Sequence, residues 1–112
     1  MILQVGEKVH VLVRRRFESD VRRQLVGEVV AANESLVRLR SFTFAFEPAF
    51  NLYTRSASPR EQLVSLIDAL NLVTLLPPEA DLERLEFRLE GNRTVLTDGG
   101  FSIEVEETQG RR

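Results

Sequence analysis

The sequence predicts a mainly β, antiparallel fold with one packed helix, and three observations carry that prediction. Val9, Val11 and Val13 alternate with Lys8, His10, Leu12 and Arg14, a period of two rich in β-branched residues. Turn-forming clusters recur between apolar runs, at Glu18-Ser19-Asp20, Asn33-Glu34-Ser35, Gly91-Asn92 and Asp98-Gly99-Gly100. One segment alone, Ser58 to Leu70, has helical spacing. The expected form is a bent antiparallel sheet or a partly open small barrel covered by that helix. At 112 residues the chain suits a single domain, expected over 1–107, with 108–112 a frayed polar tail.

Each element has its own reason. Residues 8–14 form the first half-buried strand, with the Lys8, His10 and Arg14 face turned to solvent. Leu25 to Ala32 is the second strand. Gly27 inside it marks a bulge or the close approach of another backbone. Leu36 to Phe46 is the third, and its apolar parity changes partway. Val37 and Leu39 share one face, whereas Phe42, Phe44 and Phe46 share the other. A one-residue bulge near Arg40-Ser41 would bring both sets to a single core. Residues 8–47 thus read as a meander of three long strands. The three phenylalanines read as core, packed with Phe50, Phe87 and Phe101.

Pro48 closes that block, and residues 48–58 connect it to the helix. Ser58 suits the cap, Pro59 the first helical position and Glu61 the capping box. Leu63, Leu66, Ile67 and Leu70 then follow at i, i+3, i+4 and i+7, so the helix is expected at about 59–70, with Asn71 as its cap. Leu72 to Leu76, stopped by Pro77-Pro78, reads as a short buried strand. Glu79 to Glu83 suits one helical turn. Leu85–Glu90 and Arg93–Thr97 flank Gly91-Asn92 as a hairpin. Phe101, Ile103 and Val105 alternate with polar residues in a last strand.

Composition excludes several chemistries. There is no cysteine, which removes disulfides, thiolate catalysis and zinc–cysteine sites. His10 is the only histidine, so a site needing two is excluded, and no glycine-flanked serine elbow occurs. Glu79, Asp81, Glu83 and Glu86 lack the alternating oxygens and central glycine of a calcium loop and read as a solvated face. No glycine-rich loop leads into a helix, so no nucleotide fingerprint is present. No cofactor and no metal are expected. No apolar run nears the ~20 residues of a membrane span. Met1 to Gly6 carries no secretory pattern, so a cytoplasmic location is expected.

Charge is uneven along the chain. Residues 1–60 carry ten basic groups against six acidic ones, a net of +4, whereas residues 61–112 carry five against eleven, a net of −6. Opposite halves can attract within one chain or across a homodimer, and a homodimer is the expected partner arrangement. The most pointed cluster is Arg14, Arg15 and Arg16 facing Arg22 and Arg23 across the first turn, with Phe17 beside them. With Arg38 and Arg40 these residues form the candidate phosphate- or partner-binding set, since guanidinium groups grip phosphate and aromatic rings stack on bases.

The chain bears three resemblances to known families. Arginines followed by Asn33-x-Ser35 resemble a fragment of the cyclic-di-GMP-binding PilZ domain. The chain departs from that pattern: no two arginines in 14–23 are four apart, and Arg38 stands where glycine is required. The ligand is therefore not carried over. Leu25 to Phe46, with Gly27 in its first strand, resembles the bent sheet of Sm-like and SH3-like small barrels. The whole chain also resembles small bacterial families to which no activity is assigned. The expected function is a non-enzymatic binding or protein-interaction module. The alternative is a nucleic-acid or nucleotide-phosphate binder through the arginine hairpin 14–23. An enzyme built on carboxylates is the third class.

Overall fold

The computed structural model describes residues 2–17 and 19–105. Glu18, in the expected first turn, and residues 106–112, with the expected tail, lie outside them. The N-terminal meander is as read: β1 (Lys8–Val13), β2 (Arg23–Ala32) and β3 (Leu36–Glu47) pair antiparallel in order. β4 (Leu52–Arg55) and β5 (Arg60–Ser65) both pair with β3 on the side away from β2. β4 takes its C-terminal end and β5 its N-terminal end. β6 (Asn71–Leu75) pairs antiparallel with β1 and forms the opposite edge. The result is a six-stranded antiparallel sheet. Among the described residues no pairing closes it into a barrel.

The helix expected at 59–70 is absent; the segment is β5 followed by a turn. The apolar stripe is not buried: Leu63 is 62% exposed and Ile67 77%. Val64 enters the core opposite Val37, and of the stripe Leu66 packs partly against it. Local capping signals were outweighed by the unpaired edge of β3, whose backbone groups β5 satisfies. A helix this short is marginal without a face to bury. Leu72 to Leu76 is likewise not a buried strand: β6 is an edge, with Leu72 and Leu75 about half exposed.

The parity change in β3 has a different cause from the expected bulge. Pairing of β2 with β3 runs without a break from Arg23↔Ala45 to Val29↔Leu39, and the irregularity falls at Val29/Ala31 instead. Both parities are buried because the sheet has two covered faces. On one, Val9, Val11, Leu25, Val29, Val37, Leu39 and Val64 form an aliphatic core. On the other, Val26, Phe42 and Phe44 meet a second sheet. Gly27 marks the close approach expected of it. A Cβ there would lie 2.6 Å from Ser41 Cβ and 2.7 Å from the Arg40 carbonyl oxygen.

That second sheet is the antiparallel meander β7 (Glu86–Glu90), β8 (Arg93–Thr97) and β9 (Ser102–Val105). Gly91, at φ +66°, takes the first central position of the β7–β8 hairpin, where a II′ turn needs a glycine. A 3₁₀ turn, Leu82–Arg84, precedes it and is capped by Asp81. The linker between the sheets is pinned by the single lysine: Lys8 Nζ donates to the carbonyls of Pro78 and Ala80 at 2.9 and 2.7 Å. Arg55 likewise donates to the Glu83 carbonyl at 2.6 Å. These ties join the basic and acidic halves through carbonyls rather than carboxylates. Phe87 packs edge-on to Phe44, with ring centroids 4.8 Å apart. Phe50 departs from the expected aromatic packing and is 70% exposed.

Candidate functional site

The arginine set is dispersed rather than gathered. Arg14, Arg15 and Arg23 line a concavity of about 350 Å³ at the β1–β2 hairpin, together with Asp20. Arg22 leaves that group. Its guanidinium carbon lies 4.9 Å from the centroid of the Phe46 ring, a cation–π geometry. It lines a smaller cavity of about 170 Å³ with Tyr53 and Arg93. Arg16 and Phe17 are exposed near the tip. Arg38 and Arg40 belong elsewhere: they precede Ala45, the partner of Arg23, by seven and five residues on β3. At about 3.3 Å per residue that is roughly 17 to 23 Å along the strand. Arg40 stands between Glu28 and Glu61 in the cross-strand register, so acids flank it on both sides. Arg38 lines a groove of about 300 Å³ beside Leu36 and Leu63.

His10 is the main correction. The strand face expected to meet solvent is covered by the second sheet, and His10 is only 2% exposed. Its Nε2 lies 2.6 Å from Oε1 of Gln24, a residue with no exposed surface. The carbonyl oxygen accepts, so Nε2 carries the proton. Burial pushes the His10 pKa below its ordinary 6.5, against a smaller opposing effect of the Gln24 hydrogen bond. The ring is therefore neutral at pH 7.

His10 also lines a cleft of about 410 Å³ between the sheets. The edge strands β6 and β9 contribute its sides: Leu72 and Thr74 from one, Ile103, Glu104 and Val105 from the other. Leu12 and His10 on β1 complete it, and Arg14, just past the end of β1, stands at one end. Glu104 faces a cation already, with Arg93 Nη1 3.6 Å from its carboxylate. Two buried side-chain nitrogens near this region have no partner, Nε of Arg14 and Nε2 of Gln24. Buried donors without acceptors are rare in folded proteins. Of the groups here, the sequence reading singled out Arg14 alone. The available signal was parity: His10 and Leu12 align with Gln24, Val26, Phe42 and Phe44, a row too apolar to face water.

Among the described residues no group of three or more histidine or carboxylate side chains could hold a metal ion. Asp81 instead caps the 3₁₀ turn, accepting from Glu83 N. Among the same residues no helix is long and apolar enough to cross a membrane. The chain matches no protein-family model, no curated protein and no solved structure.

Proposed function

We propose that this protein is a non-enzymatic binding module and that its site is the cleft between the two sheets. The observation that carries the reading is the cleft itself. It has the volume of a small-molecule site, and its lining divides evenly between apolar side chains (Leu12, Leu72, Ile103, Val105) and polar ones (His10, Arg14, Thr74, Glu104), so that convergent polar groups stand beside hydrocarbon. His10 supports binding over catalysis. A neutral imidazole held by an amide has no carboxylate to stabilise it on protonation, as an acid–base histidine does.

The second reading is a phosphate-bearing ligand, single-stranded RNA or a nucleotide, at the hairpin. The concavity lined by Arg14, Arg15 and Arg23 favours it. One set of ¹H–¹⁵N spectra separates the two. Hexanamide, a small neutral amphiphile, is expected to shift the amides of Leu72, Thr74 and Ile103 saturably. A short single-stranded RNA at moderate salt is expected to leave them in place. RNA shifts confined to Arg15, Val21 and Arg23, weakening steeply with salt, together with no response to hexanamide, would transfer the function to the hairpin.

A further inference from the structure

We infer that the cleft takes a small carboxylate with an apolar body: the carboxylate on Arg14, the hydrocarbon between Leu72 and Ile103. The inference rests on the cleft being the binding site, and it names the chemistry of the ligand. Arg14 is the cation among the residues that line the cleft, and its Nε is buried with no acceptor. A rotation of its outer torsions presents Nε and a terminal nitrogen as a fork. That fork matches the two oxygens of a carboxylate.

The other charged group in the cleft does not cancel this attraction, because Glu104 faces Arg93. His10 is neutral and adds no charge of either sign. The rest of the wall is Leu12, Leu72, Ile103 and Val105 with the single hydroxyl of Thr74. Leu72 keeps 47% of its surface open even though it lines the cleft, so a hydrocarbon laid against it removes apolar surface from water. A phosphate-rich ligand fits this cleft poorly: one guanidinium answers one anionic group, whereas three arginines line the neighbouring concavity.

Hexanoate and hexanamide differ in charge and hardly in shape, so the pair isolates the role of Arg14. On the native chain, amide shifts of Leu72, Thr74 and Ile103 should report hexanoate binding about tenfold tighter than hexanamide, a difference of about 1.4 kcal/mol. In Arg14→Gln the ratio should fall to about one, chiefly through weaker hexanoate binding. Arg14→Lys, which keeps the charge but loses the fork, should lie between. Leu72→Gln should weaken both probes alike, and the dispersion of each variant's spectrum establishes that it is folded. Equal affinities for the two probes on the native chain would overturn the carboxylate assignment and leave the cleft as a site. Failure of both probes to shift these amides would overturn the assignment and the binding reading together.

Discussion

The two faces of the six-stranded sheet are built from different materials. One buries seven aliphatic side chains, five of them valine, and includes a contact so close that only glycine fits. The other buries phenylalanines against a second sheet and also holds a histidine–glutamine pair, two partnerless nitrogens nearby and an open cleft. Close-packed aliphatic surface has one good arrangement and tolerates little change. An interface between two sheets, joined by a pinned linker, can leave space and polar groups unfilled. The first face accordingly is the more rigid, and the second holds the candidate site.

Gly27→Ala should give the largest effect and belongs wholly to the first face. The added methyl would meet Ser41 and the Arg40 carbonyl at 2.6 to 2.9 Å, backbone that can yield only by separating β2 from β3. A loss of about 3 kcal/mol in urea unfolding is expected, at the upper end for overpacking. Val30→Ala, on a half-open position of the same strand, should change little. A loss below about 1 kcal/mol for Gly27→Ala would mean that the aliphatic face is not rigid, and the contrast between the faces would fail.

The first face was legible in the sequence because its cause is local. Val9, Val11 and Val13 carry the period of two themselves, and Gly27 is conspicuous inside a strand. The second face was not, because what packs against it is distant in the chain: Phe87 on β7, 77 residues on from His10, has its ring centroid 6.0 Å from that of the imidazole. The same cause explains the lost helix. Ser58-Pro59 and the leucine spacing are local signals, but the open edge of β3 is a tertiary demand, and it outweighed them. Within the candidate site, Arg14 could be found from composition. Its separation from Arg22, Arg38 and Arg40 depends on which side of a strand each occupies and how far along it.

The histidine–glutamine pair comes next in size. Gln24→Leu removes the acceptor of a buried N–H and should cost about 2 kcal/mol, whereas replacing both partners, His10→Leu with Gln24→Leu, should recover most of that loss. The two variants also differ with pH. Because burial lowers the His10 pKa, the unfolded chain binds a proton near pH 6.5 that the folded chain refuses. Stability is therefore complete above pH 6.5, declines as pH falls below it, and stops declining once the lowered folded value is reached. Urea midpoints at pH 8, 6 and 5 should show this decline in the native chain and lose its histidine component in the double variant. An unchanged slope would place the titration elsewhere.

The smallest effect concerns the covering sheet itself. Asp98 Oδ2 accepts from Asp81 N at 2.8 Å, and Oδ1 accepts from Gly100 N and Phe101 N at 2.8 and 3.2 Å. The bond from Asp81, then those from the turn, hold its carboxyl below the usual 3.8. A depressed acid stabilises the fold above its unfolded pKa, and that help is lost as pH falls through the folded value. Asp98→Asn keeps an oxygen acceptor but not the charge, and the side chain is open to solvent, so the change should be slight at pH 7. It should also be confined to the second face. Amide-exchange protection should fall in β8 and β9 and hold in β1 to β3, and the native chain should show the same pattern as pH falls from 3.8 through the lower folded value. Protection lost equally from both sheets would mean that the two faces open as one unit, and the cleft could not then loosen without unfolding the aliphatic core.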